Sequence, residues 1–354
     1  MVIERRVSAK AASPAEERTF TSLRPTQLEE YVGQTDLVAK LRIALEASRR
    51  RNEPLGHILF HGPPGLGKTT LSHIISEEMG TRLVKTSGPS LSRPADLMGI
   101  LTGLQQGDVL FIDEIHRMPS AVEEFLYPAM EDYRVDFVVD SGPMARTINF
   151  PLKIFTAVGA TTRPGALTAA LRERFYLVYH VDFYSEEELV QILLRSAVRL
   201  EIPIEEEAAR ELARRSRGTP RTANRLLLWT RDFCQARGDD AITLTSAREA
   251  LAMEGVDELG LDALDRKYLR TIIDQYGGGP VGVEAIAATM NEETDTLVDM
   301  VEPFLLRAGF VQRTRGGRRA PSAAYSHLGV ALPKGVQRDL WEGAAKDEET
   351  ETSP

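Results

Sequence analysis

The chain has one cysteine, Cys234, among 354 residues. A lone thiol closes no intrachain disulfide, so nothing here points to an oxidising compartment or a disulfide-built fold. Cys234 sits in an apolar helical pattern between Phe233 and Gln235 and reads as a small packed hydrophobe. No apolar run approaches the roughly 20 residues that span a bilayer. The opening stretch, MVIERRVSAKAASPAEER, has no apolar core of the signal-peptide kind, and the expected location is the cytoplasm. An excess of positive charge is missing as well. Lys and Arg number 43 against 52 Asp and Glu, a net charge of −9. Such a chain is no bulk polyanion binder, and any nucleic-acid contact must come from a local basic patch. Repeats at solenoid periods are absent.

What is present is ordinary globular material, 42% hydrophobic and 27% charged. This excludes collagen-like, mucin-like and wholly disordered chains. At roughly 150 residues per domain the length predicts two or three domains. Residues 1–20 read as a flexible arm and 335–354 as a tail ending in the acidic KDEETETSP. From 21 to 184, compact apolar runs (HILFHG, RLVKTS, DVLFID, KIFTAVGATT) alternate with helical stretches, the signature of buried strands in a parallel sheet. A capping box at Ser185 and Glu188 opens a nearly all-helical segment to 256. From 257 to 334, three helices precede FVQRT, a GG turn and RAPSAAY. The last two apolar-polar segments read as short strands around a tip, giving a winged helix-turn-helix.

The chemistry begins at Gly62-Pro-Pro-Gly65-Leu-Gly67-Lys68-Thr69, which fits G-x-x-x-x-G-K-[ST] between a strand and a helix. The glycines let backbone N–H groups close around phosphate oxygens, and the helix start adds partial positive charge. Lys68 reaches the outer phosphates and the Thr69 hydroxyl suits Mg²⁺. Asp113 and Glu114 end the strand DVLFID beside that loop. Asp113 is the candidate for outer coordination of Mg²⁺, and Glu114 for polarising the attacking water. Together they point to ATP hydrolysis rather than binding alone. Arg174 lies in LRERF, and Arg221 follows Thr219-Pro220 at a helix start. Taken singly, each arginine also reads as a surface solubiliser. Residues 134–150 alternate apolar and polar around Ser141-Gly142-Pro143, a hairpin signature. Its Phe137, Val139, Met144 and Ile148 are then either covered by the parent domain or free for a partner. Between Arg307 and Arg319 lie five arginines and no acid. That is the local basic patch the net charge calls for.

Over residues 20–330 the sequence resembles the AAA+ ATPases, and among them the RuvB family of Holliday-junction branch-migration motors. The resemblance rests on LRP (23–25), EEYVGQ (29–34), HGPPGLGKTTL (61–71), TSGP (86–89), DEIHR (113–117), EEFLYPAMEDYRVD (123–136), VGATTRPG (158–165), LRERF (171–175), VDFYSEEEL (181–189), RGTPRTANRLL (217–227) and EPFLLRAGFVQRT (302–314). It implies an α/β P-loop domain with a parallel sheet, a small helical lid and a winged-helix head. Leu23, Arg24, Tyr31 and Val32 become the adenine-side clamp. Gly65, Gly67, Lys68, Thr69 and Thr70 become the phosphate and Mg²⁺ contacts. Thr161 takes the sensor-1 position, and Arg174 the arginine finger acting on a neighbour's ATP. Glu131, Asp132 and Tyr133 fall at the nucleotide-bearing subunit interface. Tyr184 and Arg221 contact nucleotide from the domain junction and the lid. Hairpin 134–150 docks on RuvA, RuvC joins in the resolving complex, and the wing grips duplex DNA through Arg313 and Arg318.

The resemblance thus implies an ATP-driven motor subunit in a hexameric ring. Two departures stand out. The family's Arg-Thr-Pro-Arg-Gly-Arg here reads Arg313-Thr314-Arg315-Gly316-Gly317-Arg318, so the tip is expected to be more flexible. SRPADLMG replaces an EKPGDLAA-like loop. Two other classes remain to be separated. A different AAA+ machine would lack the winged head if a clamp loader, or carry an aromatic pore loop if an unfoldase. A DNA-binding regulator would use ATP only as a switch.

Overall fold

The computed structural model describes residues 19–139 and 146–332. The arm through residue 18, the Ser141-Gly142-Pro143 turn with Met144, the tail from 335, and the side chains of Phe137, Val139 and Ile148 lie outside the described residues. The described chain falls into two compact units, one up to Ala250 and one from Leu251.

The first unit is built on five parallel strands in the order β2-β3-β6-β1-β7. They are β1 (Ile58–His61), β2 (Leu83–Ser87), β3 (Val109–Asp113), β6 (Thr156–Thr161) and β7 (Leu177–His180). Ile58, Leu59, Phe60, Val109, Leu110 and Ile112 are almost wholly buried, and β6 is buried along its entire length. Continuous apolar strands of this kind need cover on both faces. The register sets His61 beside Thr161 and Ser87 beside Asp113, so these side chains emerge at one end of the sheet. The remaining strands, β4 (Arg134–Val139) and β5 (Arg146–Pro151), pair antiparallel as a separate hairpin.

Helices α1 (Thr35–Arg51), α2 (Lys68–Met79), α3 (Pro94–Thr102), α4 (Ser120–Glu131) and α5 (Ala169–Glu173) connect the strands. Two sequence expectations change here. SRPADLMG is not a loop: Pro94 sits at the helix start, Asp96 accepts the Arg93 N–H at 2.9 Å, and Leu97 and Leu101 bury one turn apart. Strand β7 went unrecognised because it lies at the sheet edge. Only Tyr179 is buried and Val178 is exposed, so no continuous apolar run marks it. Helices α6 (Glu186–Arg199), α7 (Glu206–Arg214), α8 (Pro220–Arg237) and α9 (Leu244–Met253) follow. The capping box forms in both directions: the Glu188 N–H donates to Ser185 Oγ at 3.2 Å, and the Ser185 N–H to Glu188 Oε2 at 2.7 Å.

The second unit carries its own core, including Tyr268, Leu269, Ile272, Ile286, Leu297, Leu305 and Tyr325. Helix α10 (Ala263–Arg270) continues through a π segment, Thr271–Gln275. Next come α11 (Val283–Met290) and a helix whose first turn, Thr294–Thr296, passes through a second π segment, Leu297–Val301, into α12 (Glu302–Arg307). Strands β8 (Gln312–Thr314) and β9 (Gly317–Arg319) form the wing. The second wing strand is not RAPSAAY: it is Gly317–Arg319, beginning inside the expected GG turn and sharing only Arg319 with that segment. Pro321 cannot extend the ladder, and Ser322–Leu328 turns into helix α13, burying Ala324 and Tyr325.

Candidate nucleotide and nucleic-acid sites

The loop after β1 wraps tightly because its glycines adopt backbone angles other residues avoid. Gly62 has φ 145°, and a Cβ there would come within 2.2 Å of the Val181 carbonyl oxygen. Gly67, at φ 99°, ends the loop and caps α2. Lys68 is buried at the first position of that helix, and its Nζ donates to the carbonyls of Gly62 (2.8 Å) and Pro63 (2.7 Å). Burial lowers its pKa to about 8, against the pull of Asp113 and Glu114. The ammonium makes no ion pair within the described residues. Thr69 and Thr70 follow on the same first turn.

Asp113 ends β3, and burial pushes its carboxyl up from the ordinary value, while Lys68 and Arg221 pull it down. Its Oδ1 accepts the Glu114 N–H at 2.9 Å. Glu114 takes the left-handed region, φ 45°, and its carboxylate pairs with Arg117 at 3.0 Å. Thr161 is buried at the end of β6. Its Oγ1 lies 2.9 Å from His116 Nδ1 and accepts the Arg163 N–H at 3.0 Å. For Mg²⁺, the donor set is a helix-start hydroxyl, Thr69, and a half-buried carboxyl, Asp113, both hard oxygens. No group of three or more metal-ligating His, Cys, Asp or Glu side chains occurs among the described residues. An ion held chiefly by phosphates and water through one or two protein oxygens needs none.

Beside Gly67 and Thr70 opens a cavity of about 90 Å³ lined by Leu23, Arg24, Tyr31, Val32, Tyr184 and Asn224, among others. The Tyr184 hydroxyl donates to the Tyr31 hydroxyl (2.8 Å), and both phenols reach the Leu66 carbonyl. Burial pushes the Tyr31 phenol up to about 12. The cavity thus offers a partly enclosed slot of mixed apolar and polar lining next to the phosphate loop. Arg221 starts α8, and its N–H donates to the Gly65 carbonyl at 3.3 Å. Every expected adenine and phosphate residue on this side converges on one place.

Arg174 stands elsewhere. It caps α5, pairs with Glu131 (3.1 Å), donates to the Ala170 carbonyl (2.6 Å) and lies over the Tyr127 ring at 4.0 Å. None of these partners belongs to the phosphate loop. Asp132 pairs with Arg134 at 3.2 Å, and the Tyr133 ring meets Phe155 edge-on. Glu131 thus joins Arg174 away from the cradle, while Asp132 and Tyr133 engage Arg134 and Phe155 instead.

On the wing, Arg313 and Arg318 face each other across the ladder. Both bond Glu302, which is wholly buried: Arg318 Nε donates to Oε1 at 2.7 Å and Arg313 Nε to Oε2 at 3.1 Å. The Tyr268 hydroxyl donates to the same carboxylate at 2.7 Å. Burial works against the charge on Glu302, yet these bonds hold its carboxyl below the ordinary range. Arg313 remains half exposed and Arg318 less so.

Three family models tile the sequence. One described as the Holliday junction DNA helicase RuvB P-loop domain matches residues 23–181, the RuvB AAA lid domain matches 184–257, and the RuvB C-terminal winged helix domain matches 258–329. The chain belongs to the RuvB family. It is similar to the Holliday junction branch migration complex subunit RuvB of Desulfosudis oleivorans, 60% identical over 309 residues that span 87% of this chain and 90% of the relative. Among solved structures it is similar to the Thermotoga maritima RuvB Holliday junction branch migration motor, at TM-score 0.82 and 46% identity, covering 88% of this chain and all of that one. A point variant of that RuvB aligns at TM-score 0.83.

Several neighbours in this RuvB family chain escaped sequence reasoning. His116 and Arg117 were visible only as part of DEIHR, yet they hold Thr161 and Glu114. Glu302 lies five residues before the basic run and outside its window. The only available signal was its place in the EPFLLRAGFVQRT string.

Proposed function

We propose that this chain is the ATP-driven subunit of a hexameric ring that moves duplex DNA to drive Holliday-junction branch migration in recombination and repair. The observation that carries the reading is the meeting of Lys68, Asp113, Glu114 and Thr161 at one end of the sheet, in a chain of the RuvB family. ATP lies with its base in the slot of Tyr31, Val32, Leu23, Arg24 and Tyr184, and its phosphates along Gly65–Thr70. Thr69 and Asp113 are the residues that would hold Mg²⁺, which would neutralise charge on the outer phosphates. Glu114 orients and deprotonates the attacking water, with Thr161 fixing that water's position. Glu114 must first leave Arg117. The finger, Arg174, and the segment Glu131–Tyr133 belong to the nucleotide of the next subunit, in keeping with Arg174's contacts away from its own phosphate loop. Arg221 couples the lid to the γ-phosphate.

Hairpin 134–150 is the dock for RuvA, RuvC joins in resolution, and the wing meets DNA phosphates through Arg313 and Arg318 without reading bases. The work is cytoplasmic; no helix among the described residues is long and apolar enough to cross a membrane. The test is a synthetic four-way junction with the cognate RuvA and ATP. The parent chain is expected to resolve it into duplex products, and Glu114→Gln to bind ATP yet leave the junction intact. Branch migration by Glu114→Gln at the parent rate would sink the assignment. ATPase that ignores junction DNA, with no strand movement, would favour the regulator reading.

A further inference from the structure

The side chains around Arg174 form a built holder. Helix α4 presents Glu123, Tyr127 and Glu131 at successive intervals of four, one stripe on its surface. Glu123 is buried and accepts the Tyr127 hydroxyl at 2.5 Å and also the Thr168 hydroxyl. Thr168 in turn caps α5 by accepting the Leu171 N–H at 3.1 Å. Arg174 ends that same short helix. The aromatic ring is therefore pinned at its hydroxyl, and the helix carrying the arginine is pinned to the same carboxylate. The guanidinium lies over the ring, 4.0 Å from its centroid, with one edge on the Ala170 carbonyl and the other on Glu131.

These contacts are unequal. The ring and the carbonyl fix the guanidinium plane. Glu131 is 54% exposed and holds only the outer edge, so another anion can replace it while the stack stays intact. The arginine's Nε has no hydrogen-bond partner among the described residues.

We propose that Tyr127 is the positioning residue of Arg174, setting the guanidinium plane so that its outer edge exchanges the Glu131 carboxylate for a phosphate of the neighbouring subunit. This rests on the reading of Arg174 as a finger acting between subunits. A planar cation stacked on a ring loses less freedom when it meets phosphate than one swinging on a bare stem.

The test uses the full chain. Tyr127→Leu is expected to lower kcat of ATP hydrolysis about ten-fold with KM nearly unchanged, while Tyr127→Phe, which keeps the stacking ring but loses its hydroxyl pin, falls only about three-fold. Mixing Tyr127→Leu with Lys68→Ala subunits should restore activity, because a mixed interface pairs a sound phosphate loop with a sound finger. Arg174→Ala mixed with Lys68→Ala is the control. If the control recovers and the Tyr127→Leu mixture does not, Tyr127 acts within its own subunit and the proposal fails. If the control itself does not recover, the finger reading falls first and the proposal with it. Full activity in Tyr127→Leu, or equal loss in Tyr127→Phe, also overturns it. Should the leucine variant melt early, Tyr127→Met gives the same readout.

Discussion

Two buried charges, Lys68 and Glu302, sit in opposite circumstances. Lys68 is buried against two backbone carbonyls with no ion pair among the described residues, and its pKa falls to about 8. Glu302 is buried just as deeply, yet three side chains donate to it and its carboxyl drops below the ordinary range. The cation meets carbonyls and feels Asp113 and Glu114 only at a distance, while the anion is gripped directly by three donors. Burying an uncompensated charge is costly, so it persists where a ligand completes the set. A fully partnered buried anion instead fixes geometry. The phosphate loop thus presents a buried ammonium suited to an anionic ligand. The wing is a rigid mount whose two facing arginines are kept from repelling each other by a shared carboxylate.

The comparison breaks most visibly at Lys68. Lys68→Ala should remove nucleotide binding and lower ATPase by at least about a hundred-fold, read by equilibrium binding and steady-state turnover. Binding at the parent level would mean that the backbone alone holds the phosphates. Glu302→Gln should be the next largest effect, at about 3 kcal/mol, because two arginines lose their anion. Hydrogen exchange across residues 312–319 of the full chain reads it, and unchanged protection would refute the mount. Because the carboxyl is depressed in the folded state, its contribution is present above pH about 4.5 and is lost as the pH falls below that value.

Titration sharpens the contrast further. Nucleotide affinity should decline as pH rises through about 8, where Lys68 loses its proton. Without nucleotide, the same shift makes stability rise between pH about 8 and the ordinary lysine value, because there the unfolded chain binds the extra proton. A flat binding profile up to pH 10 would contradict the burial of the ammonium. The smallest effect belongs to the wing surface. Arg313→Ala, which leaves Arg318 and Tyr268 on Glu302, should weaken duplex binding and flatten its log–log salt slope by about 1. An unchanged slope would move the phosphate contacts to Arg315 and Arg319.

The phosphate loop, the strand ends bearing Asp113 and Thr161, and the order of the helical segments were all legible as local pattern. Each depends on residues adjacent in sequence: a glycine run, an apolar strand, a cap. The elements that went unread were those whose signal is diluted by position. Strand β7 is half exposed at an edge, and the wing's second strand lies in Gly317–Arg319 rather than RAPSAAY because the residues after Pro321 find burial as a helix. His116, Arg117 and Tyr127 look like ordinary surface side chains until the fold brings Thr161, Glu114 and Arg174 against them.

The sequence by itself determined the nucleotide chemistry and the family, because a phosphate-binding turn is encoded in consecutive residues whose backbone needs are strict. Which charges are paired and which are left waiting was decided only by the tertiary structure. A partner such as Glu302 for Arg313, or Tyr127 for Arg174, is set by distance in space, and no local rule of spacing carries that distance.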